Sequence, residues 1–352
     1  MNLDDLNSIS VIDSSGFIQL IRKMPDYIRS AWQAGCGFNS KIEGKISRII
    51  LCSTGMPHIT DRILAAYLNN SSSIQVSINT GELLPEWVFD GQSLVIVFSQ
   101  TGTEPELNRQ LVQCSRKNCH LLSIFPEGNE AKGVESAGLS HYSLTYSCPS
   151  KIIFIYTFFF TLGLLASMGL VMANEGEIVD LVSELEKTCN QLDLSNPIMS
   201  NPAKRLAGQF MNRLVTLFAS EAMVDVANLW KAQINENAKA WAQVEDISTA
   251  SRSTAGAMCF PEASLTQMMT IFLESPFDTP VCLAASGKLR ELFMVEGFNT
   301  DYYVPSGNTP LKAIWNAIIF GIFVSYYLAI AYGIDPFPNP AIEEMVNFLS
   351  EM

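Results

Sequence analysis

The chain has 352 residues, 22 basic against 35 acidic for a net charge of −13, and only 16% are charged while 48% are hydrophobic. That length predicts two domains rather than one core, and the lack of any Lys/Arg run argues against a nucleic-acid partner. Eight scattered cysteines with no C-x-x-C pair, and three histidines (His58, His120, His141), argue against a zinc site and fit buried thiols in a reducing compartment.

The opening MNLDDLNSIS is polar and acidic and does not read as a signal peptide, so a cytoplasmic chain is expected. FIQLIRKMPDYIRSAWQA (17–34) has helical apolar spacing broken by one proline. Short apolar runs follow at 47–54, 73–79, 93–99, 119–125 and 141–147, separated by helix-like stretches such as TDRILAAYL and EPELNRQLVQCSRK. This alternation predicts a parallel sheet covered on both faces, doubly wound and flavodoxin-like. A charge-free helix over 152–173 closes the series, EIVDLVSELEKTCNQLDL is amphipathic, and the two Asn-Pro pairs of LSNPIMSNP read as a linker. A second series of strands is expected at 214–220, 241–246, 268–274, 291–297 and 301–306, closed by a second charge-free helix at 313–334.

The two charge-free segments are each long enough to span a membrane. Neither has a basic cluster at one end and each closes a strand series, so both are expected as buried helices and no membrane partner is expected. The organisation expected is an N-terminal helical segment (1–40), a first α/β subdomain (41–174), a helical linker (175–212) and a second α/β subdomain (213–352).

Ligands on such sheets bind beyond the carboxyl ends of the strands, which places CSTGMPH (52–58) and SQTGTEPE (99–106) at one mouth. Ser99, Thr101, Gly102 and Thr103 are suited to an anion, because loop amides, hydroxyls and a following helix N-terminus all favour negative charge. The plainer alternative is a helix start with Thr103 as cap and Pro105 in the first turn. In KAQINENAKAWAQVED, Glu236 stands between two asparagines at a predicted helix end, a place where partial burial would make it a general base. No P-loop, G-x-G-x-x-G, G-x-S-x-G or H-E-x-x-H is present, so neither a cofactor nor a metal is expected.

Together NENAK (235–239), SQTGTEPE, DSSGFIQLIRKMPDYIRSAWQAG and YGIDPFPNPAIEEM resemble the bifunctional phosphoglucose/phosphomannose isomerase group of sugar isomerase (SIS) domain proteins. The resemblance implies two SIS subdomains, a homodimer, and a phosphosugar or sugar-like ligand. It implies phosphate held by Ser53, Thr54, Gly55, Ser99, Thr101, Gly102 and Thr103, with Glu236 moving a proton between C1 and C2 through a cis-enediol. The departures all fall on the site. Glu104 replaces a threonine of the phosphate loop, and Met56, Pro57 and His58 replace small residues of the first loop. CPSK puts Ser150 or Lys151 where the group has an arginine, and STASRST (248–254) lacks the ring-opening histidine. His58, Lys151 and Arg252 are the nearest substitutes by position. An altered-specificity or non-catalytic SIS protein is therefore the alternative to an isomerase.

Overall fold

The computed structural model describes residues 2–38, 42, 44–127 and 141–350. The chain opens with α1 (Leu6–Ile12), α2 (Phe17–Arg22) and α3 (Met24–Gly37). An alternating run follows: β1 (Arg48–Cys52), α4 (Gly55–Ser71), β2 (Gln75–Ile78), β3 (Ser93–Phe98), α5 (Pro105–Cys114), β4 (His120–Pro126) and β5 (His141–Tyr146). Three helices come next, α6 (Ile153–Ser167), α7 (Glu175–Leu192) and α8 (Pro202–Phe210). The second run is β6 (Leu214–Ala219), α9 (Met223–Ala238), β7 (Ala242–Asp246), α10 (Ile247–Ala250), α11 (Glu262–Leu265), β8 (Met268–Leu273), α12 (Pro280–Val295) and β9 (Asn299–Tyr303). The long α13 (Pro310–Tyr332) and then α14 (Pro340–Ser350) end it.

These elements form two compact units: Asp26–Val179 with Asn339–Met352, and Met1–Pro25 with Asp180–Pro338. The boundaries fall inside α3 and α7, so segments 1–40 and 175–212, set apart in the sequence, are divided between the units. Both sheets are parallel throughout, as the alternation predicts, in the orders β2-β1-β3-β4-β5 and β7-β6-β8-β9. The order reverses beside β1 in one sheet and beside β6 in the other, and these switch points are where ligands bind on such folds.

In the first-sheet unit, every residue of β3 is buried, as expected of a central parallel strand. α6 (IFIYTFFFTLGLLAS) has twelve buried residues around its circumference. It crosses α3 backbone to backbone: a Cβ at Gly163 would lie 2.6 Å from the Trp32 carbonyl, and one at Gly35 2.2 Å from the Phe160 carbonyl. Trp32 Nε1 donates to Glu175 at 2.5 Å.

In the second-sheet unit, α13 is buried along its whole apolar length and packs on α8 and α9. Both helices long enough for a membrane span are thus mostly or wholly covered by protein, as expected of core helices. Asn201 is the buried N-cap of α8, accepting from the amides of Ala203 and Lys204. The second Asn-Pro pair therefore starts a packed helix and is not slack linker. Buried Lys204 donates to Asp4 and to the carbonyls of Leu194 and Asn196, fixing the N-terminal segment to this unit.

One expected strand is a helix. ELFMVEG (291–297) falls largely in the last turns of α12. Thr279 caps this helix, Pro280 is its first residue, and Ser286, Leu289 and Phe293 repeat at three and four to face the core. A short apolar run fits either period when read by itself, and the cap seven residues before Ser286 decides it.

Candidate functional site

The two loops singled out in the sequence meet at the carboxyl edge of the first sheet, because β1 and β3 are neighbours. Gly55 adopts φ +63°, and a Cβ there would lie 2.8 Å from Gln100 Nε2. The positive φ favours glycine here, and the missing Cβ leaves room for the Gln100 side-chain amide. Gln100 Nε2 in turn donates to the Thr54 carbonyl at 2.7 Å, tying the loops together. Gly102, at φ +79°, makes the turn in the second loop.

Of the hydroxyls expected to hold phosphate, those of Ser53, Ser99, Thr101 and Thr103 are bonded within the protein. Ser53, buried at the end of β1, donates to Asp61 Oδ2 at 2.5 Å. Ser99, buried at the end of β3, donates to Glu104 Oε2 at 2.5 Å and accepts from the Gly102 amide at 2.7 Å. Thr101 and Thr103 bond to each other through their hydroxyls at 2.8 Å.

The backbone amides of the second loop are equally occupied. Glu104 Oε1 accepts from the amides of Gln100 at 2.7 Å and Thr101 at 3.0 Å. The Thr103 amide donates to the Thr101 hydroxyl at 3.2 Å. Four consecutive amides, 100 to 103, therefore end on acceptors of the loop itself. Glu104 is also the N-cap position of α5 with Pro105 next, so Thr103 is not the cap. The glutamate backbone starts the helix while its side chain folds back into the loop.

Asp61 has no counterpart in the sequence reading. It sits on α4 among Ile63, Leu64 and Leu68, on the buried side of that helix. Burial pushes its carboxyl up from 3.8 to about 7, against the opposing pull of the Ser53 hydroxyl. The one sequence clue is a carboxylate at the start of an otherwise apolar helical stripe.

Beside the second loop lies a cavity of about 370 Å³, lined by Gln100, Glu127, Ser147, Cys148, Ser150 and Ile153 together with Pro126. These residues come from the carboxyl ends of β3, β4 and β5 and from the turn that opens α6. Burial pushes the Cys148 thiol up to about 12, so it stays a neutral thiol at ordinary pH. No lysine or arginine is among the described residues that line the cavity. Lys151 follows Ser150 in a single 3₁₀ turn, and half-buried His58 lies in the first turn of α4.

Glu236 and Arg252 belong to the other unit. Glu236 is half-buried in the last turn of α9. Its neighbours hold that helix end in place: Asn235 Oδ1 accepts from the Ala242 amide at 3.1 Å, and buried Asn237 donates to Ser325 Oγ at 3.0 Å. Lys239, the left-handed C-cap, donates to the Asp335 carbonyl at 3.0 Å. The two amides of the motif are thus spent on the fold, and the carboxylate between them is presented by a fixed backbone. Arg252 is exposed, with its guanidinium on the Ser248 carbonyl at 3.0 Å.

Residues 199–349 match the family model of the bacterial phospho-glucose isomerase C-terminal SIS domain. The sequence is 24% identical to the bifunctional phosphoglucose/phosphomannose isomerase of Caldicellulosiruptor bescii over 336 residues, 94% of this chain and 98% of the relative. A glucose-6-phosphate isomerase like protein from Thermus thermophilus has the same fold, with a TM-score of 0.62 at 16% identity over 99% of each chain. So does the tagatose-6-phosphate ketose/aldose isomerase of Escherichia coli, with a TM-score of 0.65 at 13% identity over 92% of this chain and 96% of that one. The likeness read from the motifs is therefore borne out: the chain resembles the bifunctional phosphoglucose/phosphomannose isomerase-like group of SIS domain proteins, and its second half is similar to the C-terminal SIS domain of that kind.

Proposed function

We propose that this chain is a sugar-phosphate aldose–ketose isomerase, of the type that interconverts glucose 6-phosphate or mannose 6-phosphate with fructose 6-phosphate, and that Glu236 is its proton shuttle. The observation that carries the reading is the NENAK helix end, where Asn235, Asn237 and Lys239 are all engaged in holding the backbone that presents Glu236. A carboxylate held in this way can take the C2 proton, leave a cis-enediolate, and return the proton to C1. Arg252, in the same unit as Glu236, is the cation that the resemblance offers for the developing negative charge. Similarity over nearly the whole length to a bifunctional isomerase supports the assignment.

The test is NMR of glucose 6-phosphate, mannose 6-phosphate and fructose 6-phosphate in D₂O, with Glu236→Gln alongside. Deuterium entering at C2, and lost in the variant, is the expected result. No exchange with these sugars or their unphosphorylated forms refutes the isomerase.

One observation favours a second reading, a SIS protein of altered specificity: the donors of the second loop are bonded to Glu104. A homodimer belongs to either reading. Because the single chain already buries α13, the partner would dock on another surface. Light scattering at micromolar concentration is expected to give twice the chain mass, and a monomer would refute it.

A further inference from the structure

We infer that Glu104 is the resident anion of the loop after β3, and that the cavity beside it takes an unphosphorylated sugar. This rests on the second reading above, a SIS protein of altered specificity whose first sheet holds a sugar at its carboxyl edge. An anion cradle is a set of convergent donors awaiting negative charge. Here the set is filled. The carboxylate of Glu104 receives the amides of Gln100 and Thr101 and the hydroxyl of Ser99, while the amides of Gly102 and Thr103 end on Ser99 and Thr101. A phosphate at this loop would have to break those bonds and share the place with a carboxylate, and like charges at contact distance repel.

The other unit shows the same device at the matching place. β8 is to β6 as β3 is to β1, and its loop closes on Asp278, which accepts from the Ser275 amide at 2.8 Å and from the Ser220 hydroxyl at 3.3 Å. In both loops an internal carboxylate two places or fewer before a helix takes the donors at the strand end. A side chain in this position is a built part of the turn.

The cavity agrees with a neutral ligand. Gln100, Ser147 and Ser150 offer an amide and two hydroxyls, and Glu127 adds an acceptor. Side chains of these kinds can hydrogen-bond the hydroxyls of a polyol. None of the described lining residues is a lysine or arginine that would offset a dianion.

The experiment is a titration of fructose, fructose 6-phosphate and inorganic phosphate into the full chain and into Glu104→Thr and Glu104→Gln, followed by calorimetry and by ³¹P and ¹³C NMR. The wild-type chain is expected to bind fructose and fructose 6-phosphate within about twofold of each other, with no saturable binding of phosphate. Glu104→Thr, which replaces the carboxylate with a hydroxyl, is expected to bind fructose 6-phosphate and phosphate at least tenfold more tightly. Glu104→Gln keeps an acceptor for the loop amides and removes only the charge. If the threonine variant is unfolded by circular dichroism, a gain of threefold or more in the glutamine variant supports the inference, and no gain overturns it. A wild-type preference of tenfold or more for fructose 6-phosphate over fructose also overturns it. A phosphate gain in the variants with no deuterium exchange in any form keeps Glu104 as the resident anion while the isomerase reading fails.

Discussion

Asp61 allows a prediction with a definite sign. Its carboxyl is buried behind Ser53, and burial raises it from 3.8 to about 7 in the folded chain. Well below pH 3.8 the group is protonated in both the folded and the unfolded chain. As pH rises toward 7 the unfolded chain ionises while the folded one resists, so stability is lost across that interval and is constant above it. At 1.36 kcal/mol per pH unit the full loss is about 4 kcal/mol, of which about 2 kcal/mol falls between pH 5.5 and pH 8. Asp61→Asn removes this titration and leaves every other group in place. The assay is urea unfolding of both proteins at the two pH values. The free-energy difference between them should move in favour of the asparagine variant by about 2 kcal/mol at the higher pH. Asp278, raised in the same direction to about 6 by burial, titrates in both proteins and cancels from the comparison. A difference that stays constant within about 0.5 kcal/mol, or that moves toward the wild-type chain, would refute the assignment of a buried, reluctant carboxylate.

Two substitutions test the packing of the separate units. Gly163→Ala places a methyl 2.6 Å from the Trp32 carbonyl and should cost about 2 kcal/mol, read as a lowered thermal midpoint; an unchanged midpoint would mean that α3 and α6 cross less closely. Lys204→Ala removes the ammonium that bonds Asp4 and the carbonyls of Leu194 and Asn196, and should cost about 2 kcal/mol while exposing the N-terminal segment to proteolysis. Asp4, held below its ordinary value chiefly by the Lys204 bond, should return toward 3.8 in that variant, as NMR titration can show.

The sheets were legible in the sequence because strand-length runs of β-branched residues recur between helix-length stretches, and only parallel crossovers connect them at that spacing. The loops were legible for the same reason, since each glycine-bearing turn follows a strand. ELFMVEG was not: its seven residues fit a strand, and its helical state depends on a cap at Thr279 and on Leu289 and Phe293 facing one core. Asp61 was hidden too. TDRILAAYL shows only a carboxylate at the start of an apolar stripe, and its burial behind Ser53 is set by packing against the sheet and α6. Glu104 was visible as a charge in the wrong place. Its direction was not, because a glutamate at a helix start can turn outward along the helix or back into the preceding loop with little local difference.

The direction of that one side chain bears on how the chain could catalyse at all. An enzyme acting on a phosphosugar can use the phosphate as a handle, drawing on binding energy remote from the reacting carbons to orient C1 and C2. A loop that spends its amides and hydroxyls on Glu104 has no such energy to offer. The orientation of a sugar must then come from its hydroxyls, each worth less than a charge-assisted contact. On the altered-specificity proposal, turnover of an unphosphorylated sugar is expected to be slow, with the affinity set by the cavity residues. Gln100 is where the two demands on this loop meet: its amide N–H is committed to Glu104 and its side chain to Thr54, while the same residue lines the cavity. Gln100→Ala should therefore weaken fructose binding at least as much as it loosens the loop. Chemical-shift changes confined to the loop, with fructose affinity unaltered, would show that the cavity does not hold the sugar.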